Sequence, residues 1–390
     1  MKRLALVLAS LLVATPAAAQ FQSCAAGVKN SVISAGVKRS TADAAFANVA
    51  YDEKVVRFSK AQPEYKTPIW DYMAFLVDDD RIADGRKMMR KHSNTLKAVE
   101  RAYGVDRYII AALWGVESDY GEIQGSFFIP HALTNLICAG RRAKFWRGEL
   151  VAVLQLVDRG DLRLKDLNGS WAGAFGQTQF IPSTYKRLAV DFDRDGKRDL
   201  VRSVPDALGS TANYLKRSGW QSGRSWGYEV KVPAGYSGPT GRKAKAPVST
   251  WATRGLKKPG GGALTGSGSA GLIMPAGRNG PAFLVFKNFD AIYSYNLAES
   301  YALAISHLSD RLKGGKEFRA DWPTDDPGLS RAQRLDLQKR LNKKGFDVGE
   351  ADGKVGPATR AGIRKAEASM GMEVTGRPGM KIYKALGGNR

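Results

Sequence analysis

Cysteine is scarce: Cys24 and Cys138 are the only two in 390 residues, which excludes a disulfide-dense miniprotein. Neither stands in a metal-ligand spacing. Acidic residues are also under-represented, with 37 Asp and Glu against 60 Lys and Arg, leaving a net charge of +23 and a pI near 9.9. That excess favours an anionic partner, whether nucleic acid, acidic lipid or an acidic polymer. Long apolar runs are missing, since no stretch beyond the N-terminus reaches the roughly 18 residues a membrane-spanning helix needs. No repeat recurs at a solenoid period. What is present, 43% hydrophobic and 25% charged residues, excludes wholesale disorder and collagen and leaves room for two or three domains.

The first residues set the compartment. Lys2 and Arg3 precede an apolar run from Leu4 to Ala14, and ATPAAA then leads to Gln20. This is the pattern of a secretory signal cleaved after Ala19, so residues 1–19 are expected to be removed and the mature chain exported, with no transmembrane segment. Cys24 is not at the cleavage point, which argues against a lipid anchor. Export removes nucleic acid from the expected partners. In an oxidising compartment a bridge between Cys24 and Cys138 is expected ahead of two free buried thiols, closing a loop of more than a hundred residues.

From about Ala25 to Leu215 the apolar spacing is helical, with amphipathic stretches at 41–49, 83–102, 106–117, 143–158 and 205–217. Residues 221–285 instead hold Gly, Pro and the β-prone pieces YEVKVP, APVSTW, GLIMPA and AFLVFK, which predicts a small strand-rich insertion. A helix over 296–312 closes this unit of residues 20–312. Residues 313–328 have the composition of a linker, and residues 329–390 suffice for a three-helix module.

The segment GVDRYIIAALWGVESDYG, residues 104–121, carries the strongest chemical signal. Asp106 is placed to cap a helix, Gly115 and Gly121 punctuate its end, and Ile110, Leu113 and Glu117 recur along one face. A carboxylate on an apolar stripe beside Trp114 and Val116 loses solvation; this raises its pKa, as a general acid working near neutral pH requires. A boundary Glu paired with an Arg remains the alternative from this helix alone. Asp119 and Glu122 do not face Glu117, so no two-carboxylate glycosidase is visible, and their expected roles are a helix-end hydrogen bond and a surface charge.

In NGSWAGAFGQTQFIPSTY, residues 168–185, small residues alternate with Ser170, Trp171, Phe175, Gln177, Gln179 and Phe180. Gly169, Gly173 and Gly176 permit close backbone approach, and side-chain amides beside aromatic rings suit a sugar. A tightly packed helix junction explains the glycines equally well but leaves the glutamines without a purpose.

GVESDYG followed by GSWAGAFGQTQFIPSTYKRLAVDFDRDG, PDALGSTANYLKRSGW and KNFDAIYSYNLAESYALAISHL resembles the catalytic domain of the membrane-bound lytic transglycosylase B family, soluble members included, over about residues 21–312. The resemblance implies a mainly α (α+β), lysozyme-like domain in the periplasm that cleaves the MurNAc–GlcNAc β-1,4 bond of peptidoglycan and leaves a 1,6-anhydroMurNAc end. It makes Glu117 the single acid and base, with no cofactor required. Ser170 and Gln179 fall near the sugar oxygens, and Tyr295 and Asn296 at the cleft. Phe175 takes a cleft position that is often Met, while Tyr120 and Trp171 are further candidates for stacking or for polarising the acetamido group. A hydrolytic muramidase and a non-catalytic wall-binding scaffold are the rival readings.

Residues 191–202, DFDRDGKRDLVR, start like a calcium loop, with Asp191, Asp193, Asp195 and Asp199 at ligand positions. Arg202 stands where a bidentate carboxylate belongs, so Ca²⁺ binding is expected to be weak at most. An Asp turn salt-bridged to Lys197, Arg198 and Arg202 is the preferred reading. Further on, LQKRLNKKGF and DGKVGPATRAGIR resemble the three-helix peptidoglycan-binding module of wall enzymes, with Gly356 and Pro357 starting a helix. KAEAS departs from that module, which commonly has an aromatic residue and a Gln there.

Overall fold

The computed structural model describes residues 16–60 and 67–389, so the apolar run Leu4–Ala14 of the expected signal lies outside the described residues. Among the described residues the chain is mainly helical, with six short strands in two small sheets. No helix there is long and apolar enough to cross a membrane.

Two apolar cores hold most of the helices. The first gathers Ile69–Leu76, Asp79–Lys91, Arg107–Ser118, Val204–Arg217, Lys287–Asn296 and Glu299–Leu312 around the fully buried Ile110, Leu113, Phe289 and Ile305. The second packs Arg39–Phe46, Ile129–Cys138, Ala143–Asp158 and Pro182–Leu188 against Val28 and Val32 of the helix Pro16–Ser34. Each such side chain contributes about 1.5–3 kcal/mol on burial, so the apolar periodicity of the sequence is what brings these helices together. A disulfide joins Cys24 to Cys138, whose Cα atoms lie 5.9 Å apart, and so ties the helix Pro16–Ser34 to the helix Ile129–Cys138.

Strands β1 (Phe127–Phe128) and β2 (Asn168–Gly169) pair antiparallel beside the second core. In the insertion, β3 (Gly227–Val230), β4 (Lys245–Pro247), β5 (Ser269–Ile273) and β6 (Ala282–Val285) form one antiparallel sheet in the order β3-β6-β5-β4. The piece APVSTW is only partly a strand. Pro247 lacks the N–H a ladder needs, so β4 stops there at the sheet edge and Val248–Thr253 is helical. That turn of helix drives Trp251 into the insertion core, where its indole N–H reaches the Ala270 carbonyl at 2.8 Å.

Two expected helices are divided. The stretch 83–102 belongs to Asp79–Lys91 and Ser93–Tyr103, which meet at His92, a residue turned inward with its ring edge-on to Trp114 at 5.5 Å. The stretch 296–312 begins three residues late, because Leu297 takes a left-handed φ of 52° that ends Lys287–Asn296 before Glu299–Leu312 starts. Gly115, expected to punctuate the Glu117 helix, lies inside it, and a Cβ there would meet the Tyr120 ring at 2.4 Å.

The last section contains the helices Arg331–Lys343, Pro357–Ser369 and Met380–Ala385 around Leu337, Leu341 and Ile363. Ser330 and Gln333 close a capping box on the first, and Pro357 opens the second. The unusual KAEAS also has a structural purpose. Glu367 is buried and accepts from the Thr375 hydroxyl and from the Thr375 and Gly376 amides, each at 2.7 Å, so it pins the loop before the third helix.

Residues 313–328 do not hang free. Phe318 packs on Phe283 with ring centroids 4.7 Å apart and stacks on His307 at 3.8 Å, while the Arg319 and Ala320 amides both donate to Glu229 at 2.8 Å. The three-helix section is then clamped to the body. Arg377 donates to Asp71 at 2.8 Å and also to Asp326, Arg331 donates to Asp119 at 2.7 Å, and the Arg334 guanidinium lies 4.4 Å over the Phe75 ring.

Candidate active site

Asp106 begins the helix Arg107–Ser118 by accepting from the Tyr108 amide at 2.8 Å. Residues 109–115 are buried on every side, so this is a central helix of the first core rather than a surface helix with one apolar stripe. Its end is abrupt. Asp119 and Tyr120 both adopt left-handed backbone, at φ of 54° and 59°, and the Asp119 amide returns to the Gly115 carbonyl at 3.0 Å. This reversal leaves Glu117 in the last turn, where the negative end of the helix opposes a second negative charge.

Part of Glu117 is reachable from a groove, yet the protein packed around its carboxyl strips away most of the solvent. Burial pushes its pKa from 4.5 up to about 7, against the opposing pull of a hydrogen bond from Tyr301. Tyr301 is on the helix Glu299–Leu312 and donates its hydroxyl to Glu117 Oε1. Burial and then the Glu117 charge hold the Tyr301 phenol well above its ordinary range, so it remains a donor at any working pH. Tyr295 stacks on Tyr301 with centroids 6.4 Å apart and donates to the Thr178 carbonyl at 2.6 Å; burial and the Glu117 charge raise its pKa as well.

Residues 170–180 meet the end of the Glu117 helix through Gln177. Its side-chain oxygen accepts from the Trp114 indole at 3.1 Å, and its carbonyl accepts from the Ser118 hydroxyl. Gln179, at a left-handed φ of 51°, donates its amide to the Gln124 and Gly176 carbonyls at 3.0 and 2.8 Å. Ser170 follows β2 directly, and its hydroxyl oxygen accepts from the Ala174 amide at 3.1 Å. Trp171 is half-buried against the second core, and Asn296 is exposed at the end of its helix. Among the described residues neither Ser170 nor Asn296 hydrogen-bonds to Glu117.

Two expected cleft residues lie elsewhere. Tyr120 is buried in the first core, because the left-handed turn folds its ring over Gly115 and its hydroxyl donates to the Arg81 carbonyl at 3.0 Å. Phe175 is fully buried in the second core, stacked on Tyr185 with centroids 5.1 Å apart. Tyr301, by contrast, escaped the sequence reading: it is 184 residues from Glu117, and its only local signal is a phenol at the start of the apolar stretch YALAI.

On its other side Glu117 opens into a groove of about 260 Å³ that also includes Phe75, Ile123 and, from the three-helix section, Arg331, Arg334 and Lys354. The other carboxylates lining it are engaged. Asp119 pairs with Arg331 at 2.7 Å and Arg81 at 3.4 Å, so it does more than end the helix, and Asp352 accepts from the Lys354 amide at 2.8 Å and the Gln338 amide at 3.2 Å.

The acidic loop assembles with a different member than expected. Asp191, Asp193, Asp195 and Asp206 bring carboxylate oxygens within 4.8 Å of one another. Asp199 is absent from that group because its carboxylate turns to Arg202 at 2.7 Å and caps the Val201 and Arg202 amides. Asp206, in the first turn of Val204–Arg217, takes its place and accepts from the Phe192, Asp193 and Asp199 amides. Arg198 leaves the loop altogether and pairs with Asp161 at 2.7 Å.

Comparison with known proteins converges on one assignment. The model described as transglycosylase SLT domain matches residues 20–310, and that of the peptidoglycan binding domain matches residues 330–386. Membrane-bound lytic murein transglycosylase B of Escherichia coli K12 is 35% identical over 245 residues, a match spanning 61% of this chain and 65% of that protein. Among solved structures, SltB3 of Pseudomonas aeruginosa in complex with NAG-anhNAM-pentapeptide is 40% identical, with a TM-score of 0.76 over 94% of this chain and 99% of that one. The Escherichia coli lytic transglycosylase Slt35 in complex with calcium is 29% identical, with a TM-score of 0.65 over 76% of this chain and 93% of that one. Its matched region, more than half its length, places this mainly helical, lysozyme-like chain in the transglycosylase SLT-domain family.

Proposed function

We propose that the protein is an exported, periplasmic lytic transglycosylase that cuts the MurNAc–GlcNAc β-1,4 bond of peptidoglycan, with Glu117 serving as acid and then as base. One observation carries this reading: the groove offers a single carboxyl not already taken by a cation or an amide, and burial raises that carboxyl's pKa to about 7, where it can both give and take a proton near neutral pH. Protonated Glu117 gives its proton to the glycosidic oxygen as the C1–O bond breaks, and the substrate's own 2-acetamido group shares the developing charge at C1. Ionised Glu117 then takes the proton of the MurNAc C6 hydroxyl, whose oxygen bonds to C1 and closes a 1,6-anhydro ring. No water is consumed, and an intramolecular nucleophile needs no second carboxylate to activate it. Tyr301 holds the Glu117 carboxyl in place through both steps. Ser170 and Gln179 stand on the segment adjoining the Glu117 helix and are assigned to the sugar, as is Asn296. Digestion of purified sacculi tests the reading. Products lighter by one water than reducing muropeptides are expected, whereas hydrated products make the protein a muramidase and no release makes it a wall-binding scaffold.

The Asp191, Asp193, Asp195 and Asp206 cluster offers only hard oxygen donors and suits Ca²⁺. A bound ion would tie the loop to the helix Val204–Arg217 and has no part in the chemistry. Calcium at about 100 times its dissociation constant is expected to stabilise the fold by about 2.7 kcal/mol, raising the melting temperature by a few degrees. Asp206→Asn should abolish that rise, and a variant that responds like the wild type would remove Asp206 from the site.

A further inference from the structure

We propose that Lys354, in the three-helix section, is a specificity residue that receives a carboxylate of the peptide stem carried by the sugar strand. This rests on the lytic transglycosylase reading above and adds to it which substrates the groove prefers. Lys354 and Glu117 line the same 260 Å³ groove, one contributed by the C-terminal section and the other by the body. A saccharide placed for protonation by Glu117 therefore lies within the walls that include Lys354.

Four cations line that groove, Arg81, Arg331, Arg334 and Lys354, against Asp119, Asp352 and Glu117. Three of the four are committed. Arg81 binds the Gly115 carbonyl and pairs with Asp119, Arg331 pairs with Asp119, and Arg334 donates to the Gly353 and Leu329 carbonyls while covering Phe75. The Lys354 ammonium has no ion pair or hydrogen bond among the described residues.

Its backbone, however, is fixed. Gln338 accepts from the Asp352 and Gly353 amides at 3.0 and 2.6 Å and donates to the Lys354 carbonyl at 3.0 Å, so the turn is locked from within the module. The Arg331–Asp119 and Arg377–Asp71 pairs lock the module to the body. A cation on a rigid turn of the same groove as the acid, with Asp352 as a nearby charge but no ion pair to it, is suited to an anion attached to the substrate at a fixed distance from the scissile bond. A stem peptide is such an anion.

The test uses the full chain on two soluble substrates, glycan strands carrying their peptides and the same strands stripped by an amidase. For peptide-bearing strands, KM should rise roughly two- to fivefold in Lys354→Ala and about tenfold in Lys354→Glu, with kcat unchanged. On stripped strands both variants should match the wild type. Lys344→Glu, which reverses an exposed charge of the same module outside the groove, should match the wild type on both. Equal KM shifts on the two substrates, no shift on either, or an equal effect of Lys344→Glu would overturn the assignment. A wild type that cuts neither substrate would instead overturn the enzymatic reading on which it rests.

Discussion

Glu117→Gln should lower sacculus digestion about 10³-fold, within the range set by loss of a general acid, and should make the protein more stable above pH 7. The two effects have one cause. The wild-type carboxyl titrates near 4.5 when solvated and near 7 in the fold. Between those values the folded state holds a proton that the unfolded state has released, so stability falls as pH rises through this window. The stabilising contribution of the protonated form is whole below pH 4.5 and gone above pH 7. A shift of this size corresponds to about 3 kcal/mol, which a neutral amide is spared. Thermal unfolding of both proteins at pH 4 and pH 8 measures it, and a variant no more stable at pH 8 would mean that the carboxyl is well solvated.

Tyr301→Phe supplies the companion result. The lost hydrogen bond favoured the ionised carboxyl, so the alkaline limb of the kcat profile should move to higher pH while kcat itself falls. A purely structural role for the phenol would lower stability without moving the limb.

Loss of the disulfide should have the largest effect on stability. Cys24 and Cys138 are 114 residues apart, and cross-linking a loop of that length is worth about 4.7 kcal/mol in the chain-entropy model. Paired Cys24→Ser and Cys138→Ser substitutions, or a reductant, should therefore lower the melting temperature by many degrees. Turnover at 25 °C should hardly change, because the bridge fastens the second core whereas Glu117 belongs to a helix of the first. Coincident melting curves with and without reductant would show that the helix Pro16–Ser34 is held by its apolar contacts alone.

Features that depend on neighbours along the chain were legible in the sequence. Asp106 and the apolar residues around Ile110 and Leu113 announce a helix ending in an acid, though not its burial on every side, and β-prone pieces announce the insertion sheet. Aromatic residues near the acid were misleading. Tyr120 and Phe175 carry the chemistry expected of a cleft, but two consecutive left-handed residues turn the first inward, and Tyr185 covers the second. Composition does not reveal either fact. Counting loop positions selects Asp199 as an ion ligand, while the fold substitutes Asp206 from the next helix, because Arg202 draws Asp199 away. Contacts across the whole chain left no trace. Tyr301 reaches Glu117 across 184 positions and Arg377 reaches Asp71 across 306, and each is an ordinary residue in its own segment.

The Arg377–Asp71 and Arg331–Asp119 pairs have a mechanical meaning. A wall-gripping module on a slack tether would let the blade sweep a sphere around its anchor and cut wherever a strand came within reach. Fastened at two points, the module and the Glu117 groove hold one spacing in this structure, so a strand gripped by the one would meet the other at a set distance.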